Sequence, residues 1–402
     1  MAPQDRLDAL VSRTVDYRYR KRAFVFDLSH ALFSSAGVDS GTHLLLSLIA
    51  EELDPGEYSR VVDLGSGVGT LGIPLAGSAG VPLLAIDRDA CATAFTRRNA
   101  RRNDVVVDAR TALVVPDAGD EARELLVSNL PAKAGEPVLD LLVRQLVRRS
   151  ALSHGRAAFV VVKPLTELLR TTLERLGARI VAERRTAGHA AVIVECSAPP
   201  EDTIEDQALP DAFLRTQAEF QGPTRRYTMK TAHNLPEFDG LSFRTALAFD
   251  LLRSTSVSGR ALLYGCGQGH LAVGAAQRGV RGFSLALADR DLLALRMTER
   301  NIGADVDTRS SHVVPTVSVL ADLVEPGSLN WLLIDDDPTP GSRWNEEIVE
   351  LVARLLAPEG KLLVVSRSTT VSRLQKAAGG QIAQISERRM HGFRASLLRR
   401  RR

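Results

Sequence analysis

At 402 residues the chain exceeds one ordinary domain, and its composition, 45% hydrophobic and 25% charged, excludes a disordered or fibrous protein. A net charge of +3 does not announce a nucleic-acid binder, no apolar run reaches bilayer length, and the polar stretch Met1 to Leu10 does not read as a secretory signal. Cys91, Cys196 and Cys266 lie far apart and form neither a disulfide framework nor a zinc ligand set, so a reducing, cytoplasmic setting without a metal is expected.

The predicted elements alternate. Val61 to Leu64 reads as a buried strand, followed by a glycine-rich turn and a helix from Thr70 onward. Pro82 to Asp87 is the next strand and Ala90 to Arg102 a helix. Leu125 to Ser128 is a short apolar strand, with a helix over Val138 to Arg149 behind it. Ala157 to Lys163 is a strand and Thr166 to Leu176 a helix; Ala178 to Glu183 and Ala190 to Glu195 close the series as a hairpin. Such alternation predicts an α/β fold: a mostly parallel sheet covered on both faces, with an antiparallel strand at one edge.

The chain then repeats itself. Arg60 to Gly69 reads RVVDLGSGVG, and Arg260 to Gly269 reads RALLYGCGQG, 200 positions later. Val38-Asp39 matches Phe238-Asp239 at the same offset. Ile86 to Asp89 matches Ala288 to Asp291 at 202, and Asn129-Leu130-Pro131 matches Asp336-Asp337-Pro338 at 207. Four landmarks in one order indicate a duplicated domain. Second-copy strands are expected at Ala261 to Tyr264, Phe283 to Ala288, Trp331 to Asp335, Lys361 to Ser366, Ile382 to Arg388 and Phe393 to Leu398. The reading is two tandem Rossmann-like domains, residues 1–197 and 211–402, joined by a linker over 198–210.

Asp63-Leu64-Gly65-Ser66-Gly67-Val68-Gly69 ends a buried strand and opens a helix. Glycines belong where the backbone turns sharply and a ligand approaches it closely. Asp87 follows at the end of the next strand, where an acid accepts hydrogen bonds from ribose hydroxyls. The competing readings are a capped structural turn and a nicotinamide site. Against the latter, the second copy keeps Gly265, Gly267 and Gly269 but has Ala272 where a further glycine would fall. Arginine clusters at Arg18, Arg20, Lys21 and Arg22, at Arg97, Arg98, Arg101 and Arg102, at Arg184 and Arg185, at Arg225 and Arg226, and at Arg399 to Arg402 read either as phosphate contacts or as solvated faces.

Ser128-Asn129-Leu130-Pro131-Ala132-Lys133 stands at a strand end, on the crevice side of an open α/β sheet. Here the sequence resembles the small-domain class of S-adenosylmethionine-dependent methyltransferases, in particular the tandem-domain ribosomal RNA guanine-N2 methyltransferases. Those carry Asn-Pro-Pro-Phe/Tyr at this point, and a Phe-Ser…Asp-x-Gly-Ser/Thr-x-Leu-Leu-Leu segment before the glycine loop. This chain has Phe33-Ser34, then Val38-Asp39-Ser40-Gly41-Thr42-His43-Leu44-Leu45-Leu46. The likeness covers Phe33 to Glu195 well and the second half more loosely.

The resemblance implies S-adenosylmethionine as cofactor, held around Asp39, Gly41, Thr42, Asp63, Gly65, Gly67, Gly69, Asp87 and Asn129. It implies that, in the catalytic motif Asn129-Leu130-Pro131, the Asn129 side-chain oxygen and the Leu130 carbonyl accept an exocyclic amino group of RNA, guanine N2 in ribosomal RNA being the expected target. Ala132 stands where the family places an aromatic residue that stacks on the base. Another aromatic supplies the stacking, or the acceptor is not a flat base, or the site is altered; Phe24, Phe26 and Phe33 are candidates whose competing role is core packing.

In the second copy Leu263 replaces Asp63, leaving Gly265, Gly267, Gly269, Asp289, Asp336 and Pro338 as equivalents. Asp335, Asp336 and Asp337 would repel an RNA backbone, though they could orient a cationic group. The first copy is therefore expected to hold the cofactor and the second to be a degenerate scaffold or substrate-binding domain. A small-molecule methyltransferase and a non-catalytic RNA-binding protein are the alternatives, the first favoured by Ala132 and the modest net charge.

Overall fold

The computed structural model describes residues 3–32, 37–116, 123–200, 209–303 and 306–401. The chain folds into two compact units. One is Val11–Phe213; the other joins Leu214–Arg402 to the first ten residues. These limits correct the expected 1–197 and 211–402. Helix α1 (Pro3–Asp8) belongs to the second unit, where Arg6 pairs with Asp322 at 2.7 Å, while the turn Asp211–Phe213 stays with the first. Of the expected linker, residues 201–208 lie outside the described residues, and Pro200 is tied to the first unit by Arg148, which donates to its carbonyl at 2.8 Å.

The first unit opens with a hairpin, β1 (Arg13–Tyr19) and β2 (Arg22–Leu28), followed by α2 (Ser40–Glu52). The alternating series is β3 (Arg60–Leu64), α3 (Gly72–Ala79), β4 (Leu83–Asp87), α4 (Ala90–Arg102), β5 (Val107–Thr111), β6 (Glu124–Asn129), α5 (Glu136–Leu152), β7 (Arg156–Val162) and α6 (Thr166–Arg175). It closes on β8 (Arg179–Arg185) and β9 (His189–Glu195). The sheet order is β5-β4-β3-β6-β7-β9-β8, parallel except where β9 enters antiparallel between β7 and β8. The order reverses at β3, so a crevice opens at the C-terminal ends of β3 and β6, where open α/β sheets bind ligands.

Composition explains the layers. Val61, Val62, Leu125, Leu126, Ala158 and Phe159 are fully buried, as expected of central strands covered on both faces. Helix α5 buries Val138, Leu139, Leu142, Val143, Leu146 and Val147, an i, i+4 stripe facing the sheet. At its base Arg149 makes a bidentate ion pair with Glu124 (2.7 and 2.8 Å), both buried.

The second unit repeats the plan. Its strands are β10 (Leu214–Gln221), β11 (Arg226–Ala232), β12 (Arg260–Tyr264), β13 (Ser284–Asp289), β14 (Thr308–Val313), β15 (Leu329–Asp335), β16 (Leu356–Arg367), β17 (Ile382–Met390) and β18 (Phe393–Arg400). Its helices are α7 (Phe243–Arg253), α8 (His270–Gln277), α9 (Leu292–Ile302), α10 (Leu320–Leu323), α11 (Trp344–Leu355) and α12 (Ser368–Ala377). The sheet order β14-β13-β12-β15-β16-β18-β17 reproduces the first, and each unit carries a two-stranded hairpin ahead of its sheet.

Candidate cofactor and acceptor site

In the first unit the turn after β3 is built from glycines at φ +76 (Gly65), +55 (Gly67) and +89 (Gly69), a region that L side chains avoid. Their roles differ. A methyl group added to Gly65 or Gly67 would meet no atom within 4 Å, so the backbone there borders open space; one added to Gly69 would strike Ile73. Gly69 therefore serves helix packing, while Gly65 and Gly67 leave room for a ligand. Gly72 closes against Asp63, whose Oδ2 accepts from the Gly72 N–H at 2.9 Å.

Two carboxyls frame this turn. Asp63 is buried, and its Oδ1 has no hydrogen-bond partner among the described residues. Burial, reinforced by the charge of Asp87, pushes its carboxyl up to about 7. Asp87 accepts from the N–H groups of Gly67 and Asp89, both at 2.9 Å, and burial raises it to about 6. Open space above two glycines, an unpartnered acid oxygen and an acid at the next strand end fit the ribose and amino-acid portions of a nucleoside cofactor.

Asn129 ends β6, and α2 starts opposite it. Asp39 caps α2, accepting from Gly41 N (2.9 Å), Thr42 N (3.1 Å) and Thr42 Oγ1 (2.6 Å). The Asn129 Nδ2 group donates to both Asp39 oxygens and to Thr42 Oγ1, each at 3.2 Å. A carboxylate cannot donate, so this contact fixes which end of the amide faces Asp39. The amide oxygen is left to accept from another donor. Leu130 is buried and anchored by its N–H to the Val160 carbonyl at 3.0 Å. Pro131, Ala132 and Lys133 are exposed beyond it.

The structure thus brings Asp39, Gly41, Thr42 and Asn129 into one hydrogen-bonded group, and Gly65, Gly67 and Asp87 into another. Phe24 and Phe26 are fully buried, so neither can stack on an acceptor; Phe33, with Phe33-Ser34 of the family segment, lies outside the described residues. The exposed arginine clusters are largely spent within the fold. Arg98 and Arg102 converge on the buried Asp27 (2.6 and 3.0 Å), Arg20 donates to the Leu53 carbonyl (2.8 Å), and Arg184 pairs with Glu51. Arg402 lies outside the described residues.

Several residues at this site were not anticipated. The ring of His189 lies against Gly41 at the N-terminus of α2, and on the next residues His43 meets Tyr17 edge-on, with ring centroids 5.0 Å apart. Register explains His189: it pairs with Val162 of β7 as Asn129 pairs with Val160, so both side chains leave the sheet on one face. The β1–β2 hairpin is clamped by Asn99, whose amide bonds Asp27 of β2 and the Val68 carbonyl of the glycine turn. Alternation of Val15, Tyr17 and Tyr19, then Phe24, Phe26 and Leu28, was the available signal.

The second unit keeps the frame and the space over Gly267, but closes the space over Gly265. Gly265, Gly267 and Gly269 have φ +88, +54 and +100, and Asp289 accepts from Cys266 N and Asp291 N. A methyl on Gly265, however, would strike the main-chain oxygen of Asp335. Pairing register also corrects two of the matched landmarks. Asp63 pairs with Val127 and Leu263 with Leu333, which makes Asp335, not Asp336, the counterpart of Asn129 and puts Asp337, not Pro338, opposite Pro131. The counterpart of the Asp39 cap is Ser242, which caps α7; Asp239 lies apart, paired with Arg215 at 3.6 Å. Arg244 of α7 bridges Asp335 and Asp337, and Asp336 accepts from Trp344 Nε1 at 2.8 Å.

Strand order and strand-end geometry together define the class: two tandem Rossmann-like domains of the kind found in S-adenosylmethionine-dependent methyltransferases. Residues 24–184, most of the first unit, match the family model of the methyltransferase small domain. Ribosomal protein L11 methyltransferase of Symbiobacterium thermophilum is 35% identical over 106 residues, 26% of this chain and 33% of that protein. Ribosomal RNA small subunit methyltransferase C of Chromohalobacter salexigens is 32% identical over 114 residues, 28% of this chain and 34% of that protein. The chain thus matches about a third of the length of these curated relatives. Among solved structures, the 16S rRNA N2 methyltransferase RsmC of T. thermophilus, in complex with AdoMet and guanosine, shares the fold across 97% of this chain and 98% of its own, with a TM-score of 0.64 and 18% identity. No helix among the described residues is long and apolar enough to cross a membrane.

Proposed function

We propose that the chain is an S-adenosylmethionine-dependent N-methyltransferase whose single cofactor site lies in the first unit. Its acceptor is an exocyclic amino group of a nucleobase, guanine N2 of ribosomal RNA. The observation that carries this reading is the Asn129 amide, whose nitrogen is committed to Asp39 and Thr42. Its oxygen and the Leu130 carbonyl are two acceptors on consecutive residues, which suits the two N–H bonds of one amino group. Accepting both turns the nitrogen lone pair out of conjugation with the ring. It also stabilises the positive charge that develops on nitrogen as the methyl arrives.

S-adenosylmethionine supplies an electrophilic sulfonium methyl, so no covalent nucleophile is required. Gly65 and Gly67 would admit its backbone-facing part, and Asp87 its ribose hydroxyls. The second unit, with Leu263 for Asp63 and no free space over Gly265, is read as a partner in substrate binding. Lys133 and Lys163, both exposed at the ends of β6 and β7, supply cations at the crevice mouth. A base inside a duplex cannot reach Asn129, so the acceptor is presented flipped or in a single-stranded loop. Ribosomal RNA as substrate implies a cytoplasmic enzyme.

Calorimetry with S-adenosylmethionine tests the cofactor half, with about one site per chain expected and Asp87→Ala abolishing it. Mass mapping of ribosomal RNA with and without the gene tests the acceptor, and Asn129→Ala is expected to keep cofactor affinity while losing transfer. Full activity in Asn129→Ala overturns the amino-acceptor reading. Transfer to a small molecule, insensitive to salt, would favour the smaller acceptor that exposed Ala132 also permits.

A further inference from the structure

We propose that the mouth of the second sheet is a platform for single-stranded RNA, on which a base stacks against the paired rings of Phe243 and His391 while Arg367 and Arg388 meet the flanking phosphates. The proposal rests on the RNA-methyltransferase reading above and gives the second unit its part in it. Phe243, the first residue of α7, is 47% exposed and the one aromatic among the exposed large hydrophobics of the described residues. Its ring lies 4.2 Å from that of His391, centroid to centroid, tilted by 35°. His391 is itself exposed, in the turn between β17 and β18. In the first unit the residue after the helix cap is Ser40, so the aromatic belongs to the second unit alone.

Sheet register places two arginines beside these rings. Asp335, Val365, Ala395 and Arg388 are cross-strand partners in one row. Arg367, Phe393 and Met390 form the row two residues further along the strands, next to the β17–β18 turn. Side chains of alternate residues share a face, so Arg388 and Arg367 leave the sheet on the side of Asp335. That side carries α7, because Asp335 pairs with Arg244 of that helix. Both arginines are exposed; Arg388 donates to the Glu387 carbonyl at 2.9 Å, which leaves other guanidinium N–H groups for a ligand.

The adjacent acids are tied within the fold: Arg244 pairs with both Asp335 and Asp337 and offsets one of the three charges, Ser366 donates to Asp337 at 2.9 Å, and Trp344 donates to Asp336. What remains at the surface is an exposed ring pair with two guanidinium groups on the same face of the sheet, the chemistry that holds unpaired bases without reading their identity.

The test is fluorescence anisotropy of a labelled twelve-nucleotide single-stranded RNA with the full chain, over a salt series. Phe243→Ala is expected to weaken binding about tenfold, the range of one lost base stack, and Phe243→Trp to restore it. The pair Arg367→Ala with Arg388→Ala should flatten the salt slope by about 1.4, two single-strand phosphate contacts. Wild-type affinity and slope in all these variants would overturn the platform while leaving the RNA reading intact. Failure of the wild-type chain to bind RNA at all would overturn both, and a platform that holds a protein instead gives the first of these results.

Discussion

Replacing Asp39 separates positioning from cofactor binding. Its carboxylate caps α2 through Gly41 and Thr42 and holds the Asn129 amide from two directions. Asp39→Ala removes an N-cap, which costs about 1 kcal/mol, or roughly 2–4 °C in the melting temperature of a unit this size. The same change frees Asn129 to rotate, and misplacing a positioning group by about 1 Å costs on the order of a hundredfold in rate. Asp39→Asn keeps an oxygen for the two capping N–H groups, so its stability should match wild type while its rate falls about tenfold, a milder loss than for alanine. Steady-state transfer from labelled S-adenosylmethionine gives kcat, and calorimetry gives cofactor affinity, expected to change little in either variant. If Asp39→Ala loses cofactor binding and keeps kcat at saturating cofactor, Asp39 acts on the cofactor and the positioning argument is wrong.

The glycine turn makes a paired prediction. Gly65→Ala should abolish cofactor binding and cost about 1–2 kcal/mol from its positive φ alone, since its methyl enters open space, whereas Gly69→Ala adds a clash with Ile73 to the same strain and should lower the melting temperature further. Cofactor affinity should rise with pH and level off above about 7, since Asp87, raised to about 6 by burial, must be ionised to accept ribose hydroxyls; titration calorimetry from pH 5 to 8 checks this, and a flat profile refutes it. Stability of the cofactor-free first unit should move oppositely. Folded carboxyls raised to about 6 and 7 hold more protons than unfolded ones, so stability falls as pH rises from about 4 to 7, and Asp63→Asn should reduce that slope in thermal melts. Arg149→Leu leaves the buried Glu124 with Arg60 alone, 3.5 Å away and half exposed, which should cost about 2–3 kcal/mol in urea unfolding; a loss under about 1 kcal/mol would mean that Arg60 or water makes good the lost pair.

The duplication, the strand alternation and the two glycine turns were legible in the sequence because each depends on local chemistry. Glycine is required where φ is positive, and buried parallel strands are near-continuous apolar runs. The β1–β2 hairpin was legible too, in the alternation of Val15, Tyr17 and Tyr19 and of Phe24, Phe26 and Leu28.

Everything set by long-range pairing lay beyond the sequence. Counting residues gave Asp336 and Pro338 as partners of Asn129 and Pro131, and only the hydrogen-bond register between strands moved both matches back by one. Burial alone decided that Phe24 and Phe26 are core, and ion pairing alone gave Asp335 and Asp337 a shared counter-charge in Arg244. A sequence specifies which residue types a site contains. Which way the Asn129 amide points depends on Asp39, 90 residues away in the chain and 3.2 Å away in the fold.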